Sequence, residues 1–144
     1  MSDVLTVKNF DIWTAVLDPA DPFNQEKPGA LVELVAIDTP LPTSNILRRD
    51  LRLSREALPD IIAEREKLIV KHAKKDAAGN PVKTEDGRGI ELEDRGAFTV
   101  DLMALMAQEC PLVGAKTVKV SELGKIIFAG EKLDRLNAFV IDDA

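Results

Sequence analysis

Residues 74–94, KKDAAGNPVKTEDGRGIELED, crowd Asp76, Glu85, Asp86, Glu91, Glu93 and Asp94 around Gly79, Gly87 and Gly89. Carboxylates and glycines in one short stretch are the material of a calcium loop, which holds its ion through oxygen ligands at alternate positions ahead of a turn glycine. The residues ahead of Gly87 do not follow D-x-[DN]-x-[DN]-G, so the charge is present without the spacing. A solvated β-hairpin fits the stretch instead. PVKT (81–84) and GIEL (89–92) read as short strands flanking EDGR, with Gly87 free to take a positive φ. No metal site and no cofactor are predicted.

Other reactive residue types are sparse. GAKT (114–117) has the glycine and lysine of a phosphate loop, but Ala115 separates them and position 109 is Glu where G-x-x-x-x-G-K-[ST] needs Gly. The lone His72 and the lone Cys110 have the types of a base and a nucleophile, yet nothing in the sequence brings them together. Both read as packing positions near element ends. No catalytic residues are assigned, and the chain is read as non-enzymatic.

The arginines say more. Arg48, Arg52 and Arg55 recur at i, i+4 and i+7, on one flank of a helix. That flank reads as solvated helix surface, or as a place to dock an acidic partner or an anionic ligand. Arg65 falls inside an apolar stripe, where an unpaired guanidinium is costly to bury. If the hairpin folds a second helix back antiparallel, residues equally far from it meet, which nominates Glu109 as its structural ion-pair partner, with Asp101 as the fallback. A ligand-facing Arg65 is the alternative.

These residues need elements to hold them. VLTVK (4–8) alternates as a strand, and Asn9 can cap a helix with Phe10, Trp13, Val16 and Leu17 on one side. DPADPFNQEKPG (18–29) is broken by prolines and reads as a flexible loop, while ALVELVAI (30–37) suits either a strand or a short helix. From Ser44 to about Lys75, Leu47, Leu51, Leu58, Ile61, Ile62, Leu68, Ile69 and His72 share one stripe, with a kink or break predicted near 55–59 at Pro59. A second helix is predicted from about Ala97 to Glu109, ended by Pro111. KTVKV (116–120) reads as a strand, Ser121 as the cap of a helical turn, and 130–140 as a helix carrying Leu133, Leu136, Asn137 and Val140. The expected fold is one α+β domain over 1–144, mainly helical. Its core is a helix-hairpin-helix, residues 43–110, in which a kinked long helix and an antiparallel second helix are joined by the β-hairpin, with small C-terminal strand and helix elements.

The composition suits such a domain. Of 144 residues 45% are hydrophobic and 31% charged, enough to bury a core without staples, and a single cysteine excludes an internal disulfide. The net charge of −6 argues against non-specific grip on nucleic-acid phosphates. That charge is uneven, because residues 43–75 carry nine Lys and Arg against five Asp and Glu. MSDVLTVKNF shows no secretory pattern and no apolar run is long enough for a membrane span, so neither secretion by that route nor membrane insertion is expected.

AEREKLIVKHAKKDAAGNPVKTEDGRGIELEDRGAFTVDLMALMAQE, residues 63–109, resembles a family of small tailed-bacteriophage proteins of unknown function. Glu64, Arg65 and Leu68 match the family's E-R-x-x-L helix; Asp76, Gly79, Asn80, Gly87 and Phe98 match its hairpin and the entry to its next helix. The resemblance implies a phage origin, in the virion or the cytoplasm of the bacterial host, and transfers no catalytic residue. The leading expectation for a protein of that origin is a virion component, associated with tail or head, or an assembly factor, working through contacts with other phage proteins, with a homo-oligomer as one form. The alternative is an accessory or anti-defence protein that binds a host nucleotide or other anion through Arg48, Arg52 and Arg55.

Overall fold

A computed structural model describes residues 4–17, 27–37, 39–87, 89–124 and 135–141. The fold is mixed α+β and mainly helical, in the order β1 (Val4–Lys8), α1 (Asn9–Val16), α2 (Ala30–Val35), α3 (Thr43–His72), α4 (Arg95–Ala107), β2 (Glu109–Val113), β3 (Val118–Lys119), a 3-10 turn (Val120–Leu123) and β4 (Val140–Ile141). The chain divides into two compact units, one of Met1–Leu58 with Glu109–Ala144 and one of Pro59–Gln108. The segment expected as the core, 43–110, is thus shared between them.

In the first unit β1 pairs antiparallel with β2, setting Thr6 opposite Pro111 and Lys8 opposite Glu109. Here the sequence expectation is corrected. The helix expected to end at Glu109 stops at Ala107, Gln108 turns extended with ψ 139°, and Glu109 opens a strand. Pro111 does not forbid this strand, because a two-stranded sheet consists of edges and leaves room for a residue with no N–H to donate. β1 leads directly into α1, whose first turn is closed by Asp11 Oδ2 accepting from Lys8 N at 2.9 Å. The buried residues of α1 are Asn9, Ile12, Trp13, Thr14 and Ala15, whereas Phe10, expected to share a side with Trp13, is 53% exposed.

ALVELVAI resolves as helix, with α2 burying Ala30, Leu31 and Leu34. Gly29 makes this packing possible. A Cβ there would stand 2.6 Å from the main chain of Thr14 and Ala15, and Gly29 N donates to Val16 O at 3.1 Å. At the other end, β3 and β4 pair in parallel through Val118 and Val140, with Val118 N bonded to Phe139 O at 2.8 Å. The expected C-terminal helix is corrected over its described part, since 135–139 form a turn and Val140–Ile141 a strand. Val140 is held by a partner strand, so it does not continue a helical face. Its predicted beginning, with Leu133, and most of the predicted 18–29 loop lie outside the described residues.

α3 runs unbroken through Pro59, so the proline does not break the element as one reading of it required. Its stripe survives in three dimensions: Leu47, Leu51, Leu58 and Ile61 are buried, and Ile62, Leu68, Ile69 and His72 half-buried. In the second unit the chain leaves α3 into two successive turns. Asp76 Oδ1 accepts from Ala78 N and Asn80 N at 2.9 and 3.0 Å, and Gly79 takes φ +84°. The expected hairpin follows, with Lys83 opposite Ile90, Thr84 N bonded to Gly89 O at 3.0 Å and Gly87 at φ +71°. Lys74 N to Glu91 O, Glu91 N to Val82 O and Val82 N to Lys74 O, each 2.8 Å, close a ring of three backbone bonds at the base. Asp94 then caps α4 by accepting from Ala97 N at 3.1 Å, which starts the helix two residues before the expected Ala97.

Gly29→Ala is expected to destabilise the protein by about 1–3 kcal/mol, because the added methyl meets backbone that no rotamer change can clear. Chemical denaturation would show the midpoint falling with the slope unchanged; an unchanged midpoint would contradict the close approach.

Candidate functional site

The arginine flank belongs wholly to the first unit. Arg48, Arg52 and Arg55 are all exposed on α3, and the helix brings them together as their spacing requires. With Val35, Leu51 and Glu56 they line a depression of about 390 Å³, and an adjoining one of about 370 Å³ is lined by Asn45, Arg48, Arg49 and Arg52. Arg49, which sequence reasoning left out, therefore joins the basic surface; its signal was its position three residues before Arg52. Arg52 approaches Glu56 Oε1 at 4.0 Å with both side chains about two-thirds exposed, a contact worth about 0–1 kcal/mol. Among the described residues this is the ion pair made by the four arginines.

Arg65 and Glu109, nominated as an ion pair, lie in different units, one on α3 and the other exposed on β2 opposite Lys8. The Arg65 side chain is 15% exposed and its Nη1 stands 3.9 Å from Glu66 Oε1. Burial draws the guanidinium below its ordinary value, and the Glu66 charge opposes that.

Asp101 is engaged elsewhere. Its Oδ2 lies 2.6 Å from His72 Nε2 and 3.1 Å from Lys71 Nζ, joining the last turn of α3 to α4 inside the second unit. The His72 ring also meets Phe98 edge to face, with centroids 6.0 Å apart. The His72 hydrogen bond first, and the Lys71 bond second, hold the Asp101 carboxyl below the usual carboxylate range. An imidazole aligned by a carboxylate is two-thirds of a hydrolytic triad. Among the described residues the ring's hydrogen-bond partner is Asp101, and the pair clasps the two helices together. Beside it Lys71, Lys74, Lys75 and Arg95, with Glu91 and Glu93, line an open cleft of about 520 Å³. The described residues contain no cluster of three or more metal-ligating side chains, and no described helix is long and apolar enough to cross a membrane.

The most perturbed group was missed by sequence reasoning. Asp50 is fully buried; its Oδ1 accepts from Lys116 N at 3.0 Å, and its Oδ2 has no hydrogen-bond partner among the described residues. Desolvation pushes its carboxyl up from 3.8 to about 7, against the lowering effects of the Lys116 N–H and the Arg49 charge. Ser54, also fully buried, bonds back to Asp50 O at 2.8 Å. The signal was available: at 100° per residue Ser54 falls inside the stripe that runs from Leu47 to His72, and Asp50 falls at its edge, in line with Leu68.

Comparison with known proteins finds no matching family model, no matching curated protein and no matching solved structure.

Two pH experiments follow. Native Asp50 binds its proton more tightly than the unfolded chain does, so stability falls as pH rises from about 4 to about 7 and levels off above, a loss on the order of 4 kcal/mol. Asp50→Asn is expected to abolish that component in denaturation curves taken across the range; an unchanged slope would show that the carboxyl is not desolvated. Asp101 has the opposite sign. Its native carboxyl is more acidic than the unfolded one, so its contribution exists above the unfolded value and fades as pH falls through the native one. Asp101→Asn should be less stable than the parent at neutral pH and converge with it in acid, and parallel curves would refute the clasp.

Proposed function

We propose that this chain is a non-enzymatic bacteriophage protein that works through contacts with other phage proteins, as a virion component associated with tail or head or as an assembly factor. The observation that carries the contact role is the second unit's unfinished burial. Among its described residues Ile61, Ala73 and Leu105 are the buried hydrophobics, a thin core for fifty residues. α4 is apolar on nearly every side: Arg95 and Asp101 are its charged residues, and Val100 and Met103 are each 67% exposed on the face away from Leu105. A helix of that composition is ordinarily covered all round, so its open face suits a protein partner. The phage assignment rests on the resemblance of residues 63–109 to tailed-phage proteins, not on α4.

A second reading keeps the phage origin and makes the chain an accessory or anti-defence protein that captures a host nucleotide or another anion. What favours it is the convergence of Arg48, Arg52 and Arg55 on one depression.

The first reading predicts that the protein is a stoichiometric band in purified virions, or that particles fail to assemble when its gene is deleted. Val100→Glu with Met103→Glu should abolish association with the phage partner while leaving the melting temperature within a degree or two, because both side chains are already in solvent. Normal infectious particles from a deletion phage, with no phage protein co-purifying, would overturn it. Tight nucleotide binding by the purified chain, lost on changing the three arginines, would establish the second reading instead.

A further inference from the structure

We infer that the α3 face bearing Arg48, Arg52 and Arg55 docks an acidic amphipathic segment of a partner protein. This rests on the reading of the chain as a contact protein and names the chemistry of one partner, at a surface separate from α4. The three arginines rise along the helix over seven residues, about 10 Å, so they form a row. A row of guanidiniums pairs with a row of carboxylates, as on a helix with acids at i, i+4 and i+7, because each fork can take a carboxylate in bidentate fashion.

The depression also has an apolar floor. Val35, half-buried on α2, and Leu51, buried on α3, line it together with the arginines, and Val35 offers contact to aliphatic side chains. Charge complementarity then fixes the partner's sign: across the two adjoining depressions the linings hold four arginines and one acid, Glu56.

A nucleotide fits the same charges less well. None of the residues lining either depression is aromatic, so no ring is there to stack a base. The row also lies in the body of a helix, where main-chain N–H groups are spent on helical bonds and cannot cradle a phosphate. A phosphate is gathered at a focus, and this surface is linear.

The test uses the full chain and a labelled synthetic helical peptide with glutamates at i, i+4 and i+7 beside a leucine stripe. Comparators are the same peptide with Gln for Glu, a scrambled peptide of identical composition, and ATP as competitor, each read by fluorescence anisotropy at low and physiological salt. The designed peptide is expected to bind, and to bind roughly tenfold more weakly or worse to R48Q/R52Q/R55Q protein, with the Gln and scrambled peptides similarly weakened. Val35→Ser should weaken it as well, which charge attraction alone does not predict. The arginines are exposed, and should the triple variant fail to fold, the three single substitutions carry the same test. Equal binding of the scrambled peptide, retention by the arginine variants, no binding at all, or displacement by ATP with the same arginine dependence would each overturn the inference. If peptide binding fails while the chain keeps its place in the particle or in assembly, the docking surface alone is overturned. If the peptide docks but deletion phages are normal, the phage contact role falls and the docking surface stands.

Discussion

A carboxylate sealed into an apolar helix face sets the terms for the first unit. Asp50 occupies a core position on α3 with no exposed surface, and its carboxylate accepts from Lys116 N in the loop between β2 and β3. An aliphatic residue there would bury more cheaply, but it would leave the Lys116 N–H without that acceptor. That bond ties a helix to a loop sixty-six residues later in the chain. Ala115 and Val118, on either side of it, are both about 1% exposed, so the bond lies where the loop enters the core. Val118 then pairs with Val140, which carries the same constraint on to the last strand.

The second unit is organised by acids used the other way, at its surface and on its own backbone. Asp76 closes one turn, Asp94 caps α4, and Asp101 joins the helices through His72 and Lys71. Each of these carboxylates meets N–H donors, so the acids act as a scaffold for the local backbone and helices. Such bonds fix geometry more than they supply stability, because they form in contact with water. The apolar burial that normally supplies the rest is meagre in this unit, which makes the open side of α4 its most informative surface.

How far the sequence could be read depended on whether a local rule and the tertiary setting agreed. β1, the α3 stripe, the Gly87 turn and the arginine row follow from period and turn chemistry, and these appear where their residues require. Glu109 was misplaced because Pro111 signals equally the end of a helix and an edge strand, and only the presence of β1 as a partner decides between them. Val140 failed similarly: its apolar spacing suits a helix, but pairing with Val118 is a long-range fact that no local window contains. Asp50 was legible in part. Its place at the edge of the stripe could be counted, whereas the Lys116 N–H that makes it tolerable there could not.

Charge placement joins these observations to function. The chain is acidic overall, yet four arginines share one exposed stretch of α3, where their mutual repulsion gives nothing to the fold. On the same stretch of helix Asp50 is buried and accepts from Lys116 N, although the Arg49 charge still acts on it. Among the described residues Glu56 is the acid that pairs with this row, and at 4.0 Å in full solvent it shields weakly. The proposed docking uses the charge that is left. The row's linear form and the Val35 and Leu51 lining favour an extended acidic surface over a compact anion.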